Sequence, residues 1–317
     1  MNSDYKEDDV VYGTLGDILE AIKVEDDSKE KGELFSTWLD YGGEYGPAVN
    51  LKVVDKIQSG VYKVTYNPGR DEYRIVPAKI NTDEIFTFSE SYTSKILEEV
   101  NDFWNKKELY KEKKISHKRG ILLSGKPGNG KTMTINLLIK QLIEKDGLVF
   151  IVNSLKDFNI LLDSMSSMIR KIEPERPIIT IIEDIDKLIE MNNGNDSDFL
   201  DFMDGKNSIE HHLIIMTSNN TSELSDALLR PSRIDMHFVL DVPSKKIRRE
   251  YLEKKGVDPK LLDEYAKKTE GMSFAELKEV FIATTVHNKS IDDVVKQLQN
   301  PVECKNYLNT KPNKIGL

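Results

Sequence analysis

The stretch GKPGNGKT at residues 125–132 lies directly between GILLS at residues 120–124 and MTINLLIKQLIE at residues 133–144. The first flank is a compact apolar run typical of a buried strand, and the second favours a helix. The middle matches the pattern G-x-x-x-x-G-K-[ST], whose glycines let the backbone curl so that amide N–H groups point at phosphate oxygens. The sequence therefore predicts a phosphate-binding loop between a strand and a helix.

The pattern gives two side chains a chemical role. Lys131 supplies positive charge for the β- and γ-phosphates of a nucleotide, and the hydroxyl of Thr132 can ligate Mg²⁺. The amino end of the following helix adds a favourable potential for phosphate. The residues predicted to bind the nucleotide are Gly125, Lys126, Pro127, Gly128, Asn129, Gly130, Lys131, Thr132 and Met133.

A second apolar run, PIITII at residues 177–182, ends in two consecutive acids, Glu183 and Asp184. Ligands of open α/β sheets bind at the carboxyl ends of the strands, which is where these acids are predicted to lie. A Mg²⁺ partner and a water-activating carboxylate belong at such a place. The alternative interpretation is a solvated acidic loop.

The remaining pattern predicts an α/β protein. The apolar runs at residues 148–152, 212–218 and 236–240 are unalternated, which is typical of parallel strands buried on both faces. Earlier in the chain, the β-rich segments NLKVVDKI, VYKVTYN and EYRIVPAKI, separated by turn residues, predict a small separate domain. The predicted divisions are an acidic leader with a short helix at 1–34, a small β-rich domain at 35–88, an α/β domain at 89–243, a helical lid at 244–300 and a tail at 301–317.

Composition excludes several classes of protein. No stretch approaches the roughly 18 apolar residues of a membrane span, and the acidic start differs from a secretory signal. The expected location is cytoplasmic, with no membrane partner. The single cysteine, Cys304, excludes intrachain disulfides. The net charge is −9, but residues 1–34 hold eleven acids and four lysines, so the other 283 residues carry about −2 and could still form a local basic groove.

Six motifs, in order, resemble those of the AAA+ ATPases. They cover roughly half of the chain, from about Lys118 to Thr285. The resemblance implies ATP and Mg²⁺ as ligands, ATP hydrolysis, a P-loop core whose parallel sheet is sandwiched by helices, a helical lid, and a homo-oligomeric ring expected to be a hexamer. The motifs are KRGILLSGKPGNGKT, PIITIIEDID, FLDFMDG, IIMTSNN, SELSDALLRPSRID and GMSFAELKEV.

The resemblance also assigns residues. It implies that Asn219 orients the attacking water and that Arg230 and Arg233 are arginine fingers, which in the family reach the nucleotide of a neighbouring subunit. Glu183 takes the place associated with Mg²⁺ and Asp184 the water-activating place, an inversion of the usual Asp then Glu. The same inversion occurs in AAA ATPases similar to the mitochondrial Rieske-protein translocase. That group carries an amino-terminal membrane anchor, which we do not expect in this chain.

Three functions remain open at this stage. The first is a ring ATPase that remodels or translocates a protein client. The second is a DNA-associated motor or loader that contacts phosphates through the basic stretch at residues 106–119 or through the pore of the ring. The third is a nucleotide-controlled scaffold with slow turnover. Two departures from the family pattern bear on the choice. Relatives that thread protein have an aromatic residue, a hydrophobic residue and a glycine in the pore loop, whereas no glycine follows Phe158 here. In addition, Ala275 occupies a position where many relatives have a lid arginine.

Overall fold

The computed structural model describes residues 37–40, 45–48, 54, 56–69, 72–79, 86, 88, 91–194, 196–204 and 210–299. The chain divides into two units, Met1–Ile57 and Gln58–Leu317. The first contains an antiparallel hairpin of β1 (Thr37–Asp40) and β2 (Tyr45–Ala48). The predicted acidic leader with its helix and the predicted tail lie outside the described residues.

The second unit is built on a seven-stranded sheet in the order β4-β3-β6-β7-β8-β5-β9. Every neighbouring pair is parallel except β3 and β4, which form an antiparallel hairpin. The parallel α/β architecture predicted from the apolar runs is therefore confirmed. The strands are β3 (Gly60–Asn67), β4 (Glu72–Pro77), β5 (Lys118–Ser124), β6 (Leu148–Val152), β7 (Ile178–Ile182), β8 (His212–Ser218) and β9 (Met236–Val239).

Eleven helices lie in the described part of this unit, two of them continued by π-helical turns at Met165–Ile169 and Ile282–Val286. They are α1 (Tyr92–Asn105), α2 (Lys107–Glu112), α3 (Lys131–Glu144), α4 (Leu155–Ser164), α5 (Arg170–Ile172), α6 (Ile185–Met191), α7 (Ser197–Asp204), α8 (Lys245–Lys254), α9 (Leu262–Lys268), α10 (Phe274–Phe281) and α11 (Ile291–Gln299).

Strands β7 and β8, in the middle of the sheet, are buried along their whole length. Every residue of β7 (IITII) and of β8 is buried, because helices cover both faces of the sheet. The main core joins apolar residues of the strands to α1 and α3, among them Ile96, Ile121, Leu138 and Ile179. Such uninterrupted burial explains why apolar runs without alternation identified these strands in the sequence.

The structure corrects the predicted domain at residues 35–88. Strand β3 pairs in parallel with β6, with Gly60 opposite Leu148 and Tyr62 opposite Phe150, and β4 extends the same sheet. Val61 of β3 is buried in the main core. The hairpin covers a strand edge that would otherwise be exposed, so its residues belong to the α/β unit. The division lies between Ile57 and Gln58 rather than after residue 88.

The helical lid begins at Lys245, close to the predicted residue 244. Its core is apolar and includes Leu252, Leu262 and Leu277. Three residues from outside the lid complete this core: Phe86 and the α3 residue Met133 pack against it, and the ring of Phe88 stacks on Phe274 at a centroid distance of 5.3 Å. The lid is therefore packed against the start of α3.

Candidate functional site

The glycine loop between β5 and α3 adopts the conformation that its sequence predicts. Gly125, Gly128 and Gly130 all have positive φ values, of 147°, 84° and 90°. A Cβ atom at Gly125 would lie 2.2 Å from the carbonyl oxygen of Leu240, so a side chain cannot be placed there. Asn129 turns inward and donates from Nδ2 to the same carbonyl at 3.1 Å. Backbone freedom and close packing together require glycine in this loop.

The loop forms one wall of a cleft of about 550 Å³. Six of the nine residues predicted to bind nucleotide line it, and they are joined by acids from the end of β7 and by residues from the end of β8. Gly125, Lys126 and Asn129 do not line the cleft. Its lining is Pro127, Gly128, Gly130, Lys131, Thr132, Met133, Glu183, Asp184, Lys187, Thr217 and Asn219.

Four side chains form a continuous chain of polar contacts in this cleft. Lys131 Nζ donates to Asn219 Oδ1 at 2.7 Å, and Asn219 Nδ2 donates to Asp184 Oδ1 at 2.9 Å. The other carboxylate oxygen of Asp184 accepts from Lys187 Nζ at 2.5 Å. Three of these residues were predicted as site residues, and the structure brings them into direct contact. Lys187 was not predicted.

Hydrogen bonds to backbone N–H groups join the acidic residues after β7 to the residues at the end of β8. Asp184 has a left-handed conformation, with φ 49° and ψ 52°, and its N–H donates to Thr217 Oγ1 at 2.9 Å. Asp186 is buried, and its Oδ2 accepts from the backbone N–H groups of Asn219 and Asn220 at 3.2 and 3.0 Å. The end of β8 is thus tied to the first turn of α6.

The sequence reasoning missed Lys187, Thr217 and Asp186 as contributors to the site. Thr217 and Asp186 were quoted within the motifs IIMTSNN and PIITIIEDID, but no role followed from their position. A signal was nevertheless present, because Lys187 is one helical turn from Asp184 and side chains three residues apart lie on the same helix face. The i, i+3 spacing could therefore have indicated the contact.

The electrostatic environment of the cleft differs from that of water. Burial lowers the pKa of the Lys131 ammonium, while the nearby Asp184 and Asp186 carboxylates act in the opposite direction. Partial desolvation raises the pKa of the Glu183 carboxyl, and the charge of Asp184 raises it further. Anionic phosphate would relieve the desolvation cost at Lys131 by supplying negative charge beside it. The cleft therefore suits a ligand that carries several negative charges.

Thr132 and Glu183 fit the predicted Mg²⁺ site. Both line the cleft, both offer oxygen ligands of the kind that Mg²⁺ prefers, and no cation among the described residues pairs with Glu183. Bound there, Mg²⁺ would neutralise charge on the β- and γ-phosphates. In the described part of the chain, no cluster of three or more His, Cys, Asp or Glu residues could hold a metal ion by itself.

The two predicted arginine fingers lie outside the cleft of their own chain. Arg230 is exposed and its guanidinium has no ion pair with a described residue. Arg233 is half-buried and donates from Nη1 to the carbonyl oxygen of Ala227 at 2.6 Å. The loop that carries them packs on β5, where the N–H of Gly120 donates to Asp235 Oδ2 at 2.9 Å. Both arginines are therefore carried by a loop anchored to the sheet.

The lid contacts the glycine loop through the start of α10. Ser273 caps this helix in a reciprocal arrangement with Glu276. The N–H of Ala275 donates to the carbonyl oxygen of Gly128 at 3.4 Å, and a Cβ atom at Gly128 would lie 2.9 Å from that of Ala275. The lid thus reaches the phosphate loop through backbone and small side chains, without an arginine at position 275.

Residues 121–242 match the family model described as "ATPase family associated with various cellular activities (AAA)". The chain is similar to "ATP-dependent zinc metalloprotease FtsH 1" of Symbiobacterium thermophilum, with 30% identity over 69% of this chain and 39% of the relative. It is similar to "Probable mitochondrial chaperone bcs1" of Schizosaccharomyces pombe, with 26% identity over 65% of this chain and 48% of the relative.

A third relative is "Cell division cycle protein 48 homolog" of Archaeoglobus fulgidus, with 30% identity over 55% of this chain and 26% of the relative. The chain therefore spans less than half the length of each of these three proteins. Across the described residues, no helix combines the length and the apolar character needed to cross a membrane.

Proposed function

We propose that this chain, whose residues 121–242 match the AAA family of ATPases, hydrolyses ATP and works as a homo-oligomeric ring, expected to be a hexamer, that remodels or translocates a protein client. The observation that carries this proposal is the separation of two groups of residues. Lys131, Asn219 and Asp184 share one cleft, whereas Arg230 and Arg233 lie outside it.

Within the cleft, each residue has a distinct task. Lys131 supplies positive charge to the β- and γ-phosphates, and its contact with the Asn219 amide places that amide beside the phosphate site. Asn219 orients the attacking water. Asp184 accepts a hydrogen bond from the Asn219 amide and activates the same water. Glu183 and Thr132 would hold Mg²⁺. Every one of these groups lies at the carboxyl end of a strand or at the start of the following helix, as expected for this sheet type.

The position of the arginines supports a ring. Negative charge spreads over the transferred phosphoryl group in the transition state, and an arginine that reaches it is worth about 10³ to 10⁵ in kcat. The chain's own cleft lacks such an arginine among its lining residues. Arg230 lies at an exposed loop position, which the cleft of a neighbouring subunit would be able to approach.

A protein client is favoured over nucleic acid. The names metalloprotease and chaperone denote relatives that act on proteins. In the basic stretch at residues 106–119, by contrast, several lysines already pair with acids of this chain: Lys106 with Asp102, Lys107 with Glu175 and Lys113 with Glu112. This pairing reduces the positive charge available for phosphate contacts of DNA.

The ring is tested by mixing two inactive variants. Lys131→Ala removes the phosphate charge and should abolish nucleotide binding or hydrolysis. Arg233→Ala removes a finger and should lower kcat by a factor of about 10³ or more. Mixed subunits should partly recover activity, because some interfaces pair an intact cleft with an intact finger. ATPase activity is measured against protein concentration, with each variant alone as control. A rate per subunit that is independent of concentration, without recovery on mixing, would contradict the ring.

A further inference from the structure

Lys187 forms an ion pair whose position is unusual for a surface pair. Its Nζ lies 2.5 Å from Asp184 Oδ2, and the two side chains are 57% and 38% exposed. An exposed pair three residues apart contributes little to folding stability. Both partners nevertheless line the nucleotide cleft together with Lys131 and Thr132. The contact therefore lies where it can affect chemistry more than folding.

The Asp184 carboxylate has one fixed donor on each oxygen. Asn219 Nδ2 binds Oδ1 and Lys187 Nζ binds Oδ2, so the plane of the carboxylate is defined by both contacts. Each oxygen of a carboxylate can accept more than one hydrogen bond. A water molecule can therefore still bind Asp184 while both donors remain in place.

The backbone of Asp184 adds a second constraint. The residue has a left-handed conformation and is fixed by its N–H bond to Thr217. With the backbone fixed, the remaining freedom of this short side chain is rotation about its own bonds. Asn219 alone would restrain one oxygen and leave the other free to turn. Lys187 removes that freedom.

We propose that Lys187 is a positioning residue for ATP hydrolysis, which fixes the Asp184 carboxylate in the orientation that receives the attacking water. This inference rests on the proposed role of Asp184. It also explains how an aspartate can activate the water at the position where the family usually has glutamate. The aspartate side chain is shorter, and the contact with Lys187 fixes its orientation. Lys187 itself need not touch the nucleotide.

The opposite interpretation is a latch, in which Lys187 holds Asp184 away from the water. The contacts favour positioning, because the same carboxylate is simultaneously bonded to Asn219, which is bonded to Lys131 of the phosphate loop. The chain of contacts thus links Asp184, through Asn219, to the lysine of the glycine loop. Removal of a latch would raise kcat, whereas removal of a positioning residue lowers it.

The test uses the full chain and the variant Lys187→Met, which keeps the length of the side chain and removes its charge. We expect kcat to fall on the order of 10- to 100-fold, as for other losses of orientation at a reacting centre. The KM for ATP and the affinity for a non-hydrolysable ATP analogue should stay unchanged. Lys187→Arg keeps a cationic donor and should recover most of kcat.

A matched control is Lys106→Met. Lys106 forms a similar exposed lysine–aspartate pair, 2.6 Å from Asp102, and does not line the cleft. This variant should keep full ATPase activity, and both methionine variants should unfold at the temperature of the parent protein. Equal losses of kcat in the two variants would overturn the inference.

A double-mutant cycle decides whether Lys187 acts through Asp184. In an Asp184→Asn background, Lys187→Met should cause no further loss of kcat. Additive losses, an unchanged or raised kcat in the single variant, or a raised KM with kcat retained would each overturn positioning through Asp184. Full activity of Asp184→Asn would instead refute the proposed role of Asp184 itself, so the two failures can be told apart.

Discussion

At the scale of single residues, the amide of Asn219 has only one orientation that satisfies its neighbours. Its oxygen accepts from Lys131 and its nitrogen donates to Asp184. Rotation of the amide by 180° about χ2 would place its NH₂ group against the Lys131 ammonium and its oxygen against the Asp184 carboxylate, so that donor would face donor and acceptor would face acceptor. The amide therefore accepts a hydrogen bond from a cation on one side and donates one to an anion on the other. An apolar side chain cannot make these contacts, and a single hydroxyl cannot span both.

We expect Asn219→Ala and Asn219→Asp to differ in a diagnostic way. Alanine removes the amide, so kcat should fall about 10²-fold while ATP still binds. Aspartate should bind Lys131 as an ion pair and repel Asp184, so ATP must compete for the lysine and KM should rise as well. Steady-state kinetics with nucleotide-binding assays measure both. Equal KM values in the two variants would contradict this account of the Lys131 contact.

Much of this residue-scale arrangement was predictable. The spacing of Lys131 and Thr132 within the glycine pattern, and the acids after PIITII, follow from strand ends that meet at one edge of a sheet. The ion pair of Lys187 and the bond from Asp184 to Thr217 were not predicted. They depend on a local left-handed conformation at Asp184, and neither composition nor apolar periodicity indicates such a conformation at a non-glycine residue.

At the scale of elements, the amino ends of the central strands hold buried histidines. His212 is the first residue of β8, is fully buried, and lies 2.8 Å from Thr180 Oγ1 of β7. Burial lowers the pKa of its imidazole well below the ordinary value of 6.5. His117, before β5, contacts His211 through their Nδ1 atoms at 2.9 Å, and burial lowers the pKa of both rings.

These shifts predict a loss of stability in acid. A histidine whose pKa is lower in the folded than in the unfolded chain binds its proton more readily when unfolded. The stability it contributes is complete above the unfolded value of 6.5 and is lost progressively as the pH falls below it. The unfolding temperature should therefore drop between about pH 7.5 and 5.5.

The variant His212→Gln tests the cause, because it removes the buried titrating ring. It should have a smaller change of unfolding temperature over this pH range than the parent protein, whatever its absolute stability. Exposed His287 provides the control substitution, His287→Gln, which should retain the parent's full pH dependence. Identical pH dependence in all three proteins would assign the acid effect to groups other than His212.

At the scale of the whole molecule, the sheet and the lid both recruit residues from the segment preceding α1. The sequence predicted strands in VYKVTYN and EYRIVPAKI, and these segments contain β3 and β4. It did not predict the strand that they pair with, because turn residues and β propensity indicate a hairpin but not the sheet edge that the hairpin joins. Parallel pairing of β3 with β6 joins segments more than 80 residues apart. Such a long-range register leaves no local pattern in the sequence.

The contacts of this segment predict where the chain can be shortened. A fragment of residues 58–317 retains β3, β4, Phe86 and Phe88, and it should remain folded and hydrolyse ATP. A fragment of residues 89–317 exposes the edge of β6 and loses the aromatic packing of Phe88 against Tyr251 and Phe274. We expect the shorter fragment to be insoluble or to unfold at a clearly lower temperature, measured by circular dichroism.

A point variant separates the two causes in the shorter fragment. Phe88 is 2% exposed, so Phe88→Ala in the full chain should lower the free energy of unfolding by about 3 to 5 kcal/mol. Because Phe274 begins the helix that contacts Gly128, the same variant should also weaken ATP binding, whereas exposed Tyr92→Ala, just after the segment, should alter neither quantity. If residues 89–317 match residues 58–317 in unfolding temperature and ATPase rate, the predicted division at residue 88 is correct and β3 is an accessory strand. A lower unfolding temperature in both the fragment and Phe88→Ala would make the segment from Gln58 part of the α/β unit that carries the cleft.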